Sequence, residues 1–82
     1  MKIKYFSWLK NITNKEEEII DNASIIDVNT LKVYLTKVYP ELKEHFDNND
    51  LIRIAINLSY TYENTKIMSD DEIALFPPVS GG

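Results

Sequence analysis

The clearest pattern in this chain is that of one amphipathic helix, and it restricts the fold more than any other feature. Asp27 stands before it, where the carboxylate can accept a hydrogen bond from a free backbone N–H and begin a helix. Pro40 ends the helix near Tyr39, because the residue before a proline avoids the helical region. The apolar residues between these points recur at i, i+3, i+7 and i+10 and share one helix face: Val28, Leu31, Leu35 and Val38. We predict that this face is buried.

Short segments with alternating apolar residues surround the predicted helix and are typical of strands. They are residues 1–6, 16–20, 51–56, 59–62 and 73–76. After the first strand, Ser7 is expected to cap a short helix that carries Trp8 and Leu9. Residues 41–46 are expected to add one further helical turn.

The order of these elements predicts an α+β fold in which one main helix covers one face of one mixed sheet, a β-grasp. The length of 82 residues indicates a single domain, residues 1–82. The apolar helix face should pack against the inward side chains of the sheet, which are Ile54, Ile56, Ile73 and Leu75.

The composition excludes several classes of function. Cysteine is absent, so disulfides, thiolate metal sites and cysteine nucleophiles are excluded. No apolar run approaches the ~18 residues of a membrane span, and no apolar region follows Lys2 and Lys4 as in a signal peptide. We therefore expect a cytoplasmic protein with no membrane partner. The formal net charge of −4 also argues against a nucleic-acid partner, since phosphate binding requires a basic surface.

The acidic residues cluster at residues 16–18 and 70–72. Such clusters can dock on basic surfaces of a partner and raise the rate of association. The alternative is that they form a solvated surface that keeps the protein soluble.

The side chains offer little catalytic chemistry. His45 is the single histidine, and we expect it to be a surface residue rather than a catalytic one. The sequence has no phosphate-binding loop, no pair of histidines for zinc, and no set of nucleophile, base and oxyanion hole. We therefore predict no catalytic residue, no metal site and no bound cofactor, and a chain that is not an enzyme on its own.

The C-terminal end is the most distinctive segment for function. The last predicted strand runs directly into Pro77 and Pro78, which cannot donate backbone hydrogen bonds to extend a sheet. Residues 77–82 should therefore project as a flexible tail with a reach of roughly 20 Å. Gly81 and Gly82 lack Cβ atoms, so this end can enter a narrow passage. A frayed terminus or a cloning scar is the alternative interpretation.

This ending resembles that of the small subunit of molybdopterin synthase, the MoaD family of ubiquitin-like β-grasp sulfur carriers. It reads Asp71-Glu72-Ile73-Ala74-Leu75-Phe76-Pro77-Pro78-Val79-Ser80-Gly81-Gly82. The resemblance extends to residues 1–6, to residues 27–31 with a helix that ends at residues 38–40, and to residues 54–57. One departure is Leu58, which follows Asn57 where the family usually has glycine.

The resemblance implies a sulfur carrier subunit for molybdenum cofactor biosynthesis. An E1-like adenylyltransferase (MoeB-like), which itself uses ATP and Mg²⁺, would adenylate Gly82, and sulfur would then give a terminal thiocarboxylate. The loaded tail would enter the large subunit (MoaE-like) of a heterotetramer and donate sulfur to cyclic pyranopterin monophosphate, forming the dithiolene of molybdopterin. The implied partner-binding residues are Phe76, Pro77, Pro78, Val79, Ser80 and Gly81.

Other functions stay open at this point. The carrier could serve another thiolation pathway, such as thiazole or tRNA, or the chain could be a ubiquitin-like modifier joined to lysines through an isopeptide bond. The third alternative is a plain binding module, and its function would not depend on Gly82. Phe76 could anchor a partner as an aromatic hot spot or pack within this domain.

Overall fold

The computed structural model describes residues 1–47 and 51–78. Five strands form one mixed sheet in the order β2-β1-β5-β3-β4, with β1 and β5 parallel and the other pairs antiparallel. This confirms the predicted α+β, β-grasp arrangement. In chain order the elements are β1 (Lys2–Tyr5), α1 (Leu9–Thr13), β2 (Glu17–Ile19), α2 (Val28–Val38), α3 (Glu41–Asp47), β3 (Arg53–Ile56), β4 (Ser59–Thr61) and β5 (Glu72–Phe76).

The main helix, α2, begins at the predicted cap. The backbone N–H of Thr30 donates to Oδ1 of Asp27 over 2.9 Å, and the Thr30 hydroxyl accepts from the Asp27 N–H over 3.0 Å. These reciprocal bonds form a capping box, which satisfies backbone donors that the first turn leaves free. Asn64 donates to Oδ2 of Asp27 over 3.2 Å and ties the cap to the loop before β5.

The core lies between α2 and the sheet, and most of the predicted core residues are in it. Val28, Leu31 and Leu35 are buried in one apolar cluster. The sheet contributes Ile54, Ile73 and Leu75 to the same cluster, and Ile56 packs against it while staying partly exposed.

The prediction that Val38 is buried is wrong, because its side chain is 46% exposed. Val38 is the last residue of α2 and stands about 80° round the helix axis from Val28, at the margin of the apolar stripe. Tyr39 follows it and packs against the core instead, with its ring 6.1 Å from that of Tyr5.

Two further expectations are wrong around the short helices. Ser7 has a positive φ of 58° and does not cap α1; Trp8 holds the cap position without a side-chain hydrogen bond. His45 is half-buried rather than a surface residue, because α3 continues to Asp47 and brings the His45 ring to 4.7 Å from the Trp8 ring. The imidazole therefore serves as a packing surface.

The turn between β3 and β4 carries the departure from the family sequence. Asn57 and Leu58 connect the paired residues Ile56 and Ser59, and their φ angles are 50° and 70°. A two-residue hairpin of this kind requires positive φ at both positions, which suits Asn-Gly best. The turn therefore forms with a leucine in the left-handed region, and this Leu58 side chain is 90% exposed.

Within residues 1–47 and 51–78, no helix combines the length and the apolar character needed to cross a membrane.

Candidate functional site

The C-terminal tail leaves the centre of the sheet. Its root is β5, which pairs with β1 on one side and β3 on the other. Ile73 and Leu75 of this strand are fully buried. A strand that is paired along both edges and anchored in the core is a rigid base, so the starting point of the tail is fixed.

The described part of the chain ends two residues beyond β5. Pro77 is half-buried and Pro78 is exposed. Phe76 is opposite Arg53 in the last register pair of β3 and β5, and the sheet ends there as the prolines predicted. The remaining predicted tail residues, Val79, Ser80, Gly81 and Gly82, lie outside the described residues, and their roles stay predictions.

We call the face of the sheet opposite α2 the outer face. It carries small side chains at its centre and aromatic side chains on one side. Ala74 of β5 pairs with Ala55 of β3, which in turn pairs with Tyr60 of β4. The rings of Phe76 and Tyr60 are 5.4 Å apart at an angle of 40°. Phe76 thus packs within this domain, while half-burial leaves part of its ring available to a partner.

Beside these rings, the outer face has a small open cavity of about 130 Å³. Arg53 projects beside it, with its guanidinium carbon 6.0 Å from the centre of the Tyr62 ring. The residues that line the cavity are Arg53, Ile54, Tyr60, Thr61, Tyr62 and Phe76.

A polar cluster braces the other side of the tail root. Glu18 of β2 accepts hydrogen bonds from the hydroxyls of Tyr5 and Tyr39, and its second oxygen lies 3.3 Å from Nζ of Lys15. Tyr5 is the register partner of Leu75, so the cluster adjoins the end of β5. Sequence reasoning missed it, because these residues are brought together only by the sheet and the end of α2.

The electrostatics of this cluster follow from its geometry. Burial alone raises the pKa of Glu18, but hydrogen bonds from Tyr39 and Tyr5 and the charge of Lys15 outweigh it and hold the pKa below its ordinary value. Burial, and then the hydrogen bond to Glu18, raise the pKa of Tyr5 far above its ordinary range. Tyr5 therefore stays protonated and remains a donor to an ionised carboxylate.

The predicted acidic clusters are mostly engaged in local contacts. Asp71 accepts from the N–H of Met68 over 2.7 Å and from the Asn57 amide over 2.8 Å. Glu72 pairs with Lys4 over 3.4 Å. Like Glu18, these carboxylates stabilise turns and strand pairs. In the described ranges, no group of three or more His, Cys, Asp and Glu side chains is arranged to hold a metal ion.

Comparisons with known proteins agree with the resemblance found in the sequence. The model of the ThiS family matches residues 3–82. The molybdopterin synthase sulfur carrier subunit of Dictyostelium discoideum is 34% identical over 86 aligned positions, which cover 99% of this chain and 94% of that protein.

Two solved structures with the same fold are archaeal proteins. The putative molybdopterin converting factor subunit 1 of Pyrococcus furiosus superposes with a TM-score of 0.81 at 26% identity and 95% coverage of each chain. The small archaeal modifier protein 1 of Methanosarcina acetivorans gives a TM-score of 0.80 at 28% identity, covering 99% of this chain and 94% of that one. These matches confirm the ubiquitin-like β-grasp fold and the resemblance to molybdopterin synthase small subunits. Because the family model matches residues 3–82, nearly the whole chain, this protein belongs to the ThiS family.

Proposed function

We propose that this chain is the sulfur carrier subunit of a molybdopterin synthase and that it carries sulfur on the carboxylate of Gly82. The observation that carries the proposal is the family match, which runs to the final glycine. The Dictyostelium relative, which bears that function in its name, also covers nearly the whole chain. The absence of cysteine supports a carrier group other than a side-chain thiol.

The chemistry requires that the terminal carboxylate be activated, because a carboxylate anion has no good leaving group. An E1-like adenylyltransferase (MoeB-like) would join Gly82 to AMP and release pyrophosphate from ATP, with Mg²⁺ held by that enzyme. A persulfide sulfur then displaces AMP to give an acyl disulfide, and a second thiol attacks the donor-side sulfur of this S–S bond, which forms a new disulfide and releases the thiocarboxylate. In the large subunit (MoaE-like), the thiocarboxylate sulfur forms a C–S bond to the pterin precursor as a C–O bond at the same carbon breaks and the oxygen group leaves. Water then hydrolyses the resulting acyl thioester, which returns the carboxylate of Gly82 and leaves the sulfur on the pterin.

The chain itself contributes the position and direction of its C-terminal tail. The strand β5 fixes the tail root, and Pro77-Pro78 restricts the directions in which the tail can leave it. A stiff root lowers the entropy cost of inserting the tail into an enclosed site. Gly81 and Gly82 present no Cβ to the walls of that passage. The carrier is thus a non-catalytic subunit, and the large subunit supplies the catalytic groups.

The outer face is the docking surface in this proposal. Phe76 at the tail root and Phe6, which is 45% exposed, offer apolar area beside the point where the tail departs. A partner that receives the tail must approach this part of the sheet. Both the large subunit and the activating enzyme would use it in turn, and two carriers would serve one dithiolene in a heterotetramer.

The experiment is to measure the intact mass of the chain after incubation with the cognate adenylyltransferase, ATP, Mg²⁺ and a persulfide donor. The mass should rise by the difference between sulfur and oxygen, and the large subunit should then convert the pterin precursor into molybdopterin. A chain without Gly82 is the control and should show neither change. Full synthesis by that truncated chain would contradict the proposal.

The similarity to the archaeal modifier protein favours a ubiquitin-like modifier as the second candidate. The same adenylated Gly82 would then be joined to lysine amines by an isopeptide bond. Cells that express a tagged chain would show higher-mass conjugates that disappear when Gly82 is deleted. If the chain forms conjugates but its thiocarboxylate supports no molybdopterin synthesis, the modifier is favoured over the carrier.

A further inference from the structure

The outer face has an open aromatic cavity next to the tail root. Tyr60 is 64% exposed and Tyr62 is 77% exposed, although both flank a cavity of about 130 Å³. That volume is large enough for one apolar side chain. Phe76 forms its wall on the side of β5. Two exposed tyrosines around such a cavity are typical of a site where an interface buries aromatic rings.

Arg53 gives this cavity a charge. It is the single arginine of the chain, it is half-buried, and its guanidinium lies beside the Tyr62 ring. Within residues 1–47 and 51–78 its side chain forms neither an ion pair nor a hydrogen bond. A guanidinium has five N–H donors in a planar fork that matches a carboxylate. Among the residues that the structure describes, none occupies these donors, which can receive an incoming acceptor.

The two lysines of β1 on this face already have acidic partners. Lys4 pairs with Glu72 over 3.4 Å, and Lys2 pairs with Glu17 over 3.2 Å. Glu63 lines a neighbouring cleft with Arg53 but stays beyond ion-pair distance in the described structure. Arg53 is thus the one charged residue among the described residues that line the cavity, on a protein whose formal net charge is −4. A partner that meets this spot with a carboxylate is complementary to it, although the rest of its surface should be basic.

We propose that Arg53 binds a carboxylate of the synthase large subunit, and that an apolar side chain next to this carboxylate fills the cavity between Tyr60, Tyr62 and Phe76. The inference rests on the proposed function. Arg53 is opposite Phe76 in the last register pair of β3 and β5. Phe76 directly precedes Pro77. An ion pair at this point fixes how the partner is placed relative to the tail root, and hence how far the tail reaches.

The test is calorimetric titration of the full chain with the cognate large subunit, at low and at moderate salt. Arg53→Gln keeps most of the stem and removes the charge, and it should weaken binding at least about tenfold and reduce the salt dependence. Arg53→Lys keeps the charge but loses the planar fork, so it should weaken binding less than Arg53→Gln. Lys37→Gln is the matched control, because it removes one positive charge from the exposed end of α2. It should bind like the wild type.

The outcomes separate this inference from the proposed function. Unchanged affinity of Arg53→Gln, with sulfur transfer that still requires Gly82, would overturn the inference and leave the carrier function in place. A wild-type chain that neither acquires sulfur nor binds the large subunit would overturn both. Dissociation of a homodimer by Arg53→Gln, with no effect on the large subunit, would assign the cavity to a second copy and overturn the inference. Thermal unfolding of each variant checks that the fold is retained.

Discussion

Tyr5 and Tyr39 donate hydrogen bonds to the same oxygen, Oε2 of Glu18, over 2.5 and 2.6 Å. Tyr5 lies in β1 beside Leu75 of β5, and Tyr39 lies at the end of α2. One carboxylate on the edge strand β2 therefore connects this strand, the neighbouring strand β1 and the end of the main helix. Because Tyr5 pairs with Leu75, these hydrogen bonds lie close to the end of β5, from which the tail departs.

Glu18→Gln should lower the free energy of unfolding by about 1–3 kcal/mol at neutral pH, because hydrogen bonds to a charged acceptor are replaced by neutral ones. The Glu18 pKa is lower in the folded state, so its stabilising effect is fully present above the unfolded value and is lost as the pH falls through the folded value. Urea unfolding at several pH values should show the two proteins converging in acid. A constant difference down to the lowest pH would contradict this account.

Leu58→Gly should stabilise the protein by about 0.5–1 kcal/mol. Relief of the left-handed conformation gains about 1–2 kcal/mol, and the greater freedom of glycine in the unfolded chain offsets part of it. Leu58→Ala is the control, since it removes the exposed side chain but keeps a Cβ at the same φ. Equal urea midpoints for the two variants would show that backbone conformation is not the cause.

Leu35→Ala should cost about 2–5 kcal/mol, because the side chain is fully buried and its removal leaves a cavity. Val38→Ala on the same helix should change stability by no more than about 0.5 kcal/mol, as at other exposed positions. Chemical unfolding of the two variants measures both values. A larger loss at Val38 than at Leu35 would contradict the observed placement of α2.

Phe76→Ala should weaken binding to the large subunit and to the activating enzyme by at least about 1 kcal/mol. The ring also packs on Tyr60, so the variant should lose some stability while remaining folded. Val33→Ala, a 55% exposed apolar position on α2, is the control and should bind normally. Unchanged affinity of Phe76→Ala for both partners would remove this residue from the interface.

Deleting Gly82, or adding one residue after it, should abolish sulfur transfer with little effect on stability. Loss of one residue withdraws the reacting carbon by about 3.3 Å, and a displacement near 1 Å can already cost about 100-fold in rate. Gly81→Ala should be milder, since it only adds a Cβ to the tail. The assay must follow sulfur and isopeptide formation separately, because a modifier would lose conjugation with the same variants. A simple binding module would tolerate all of these changes.

The sequence by itself determined the features that depend on neighbours along the chain. Asp27 caps α2 because its carboxylate reaches N–H groups within the same turn. Leu31 and Leu35 are buried because their spacing places them on one helix face. Pro77 marks the end of β5, since a residue without an N–H cannot extend the sheet. Each of these follows from local geometry and periodicity.

Only the tertiary structure decided which distant residues meet. Glu18 joins Tyr5 and Tyr39, and Arg53 comes to lie opposite Phe76, because strand order and register set those contacts. The same holds for Leu58, whose positive φ is imposed by the two-residue connection between paired strands. Strand order and register are fixed by the packing of the whole sheet and are not encoded in any short segment, which is why periodicity predicted the elements but not these contacts.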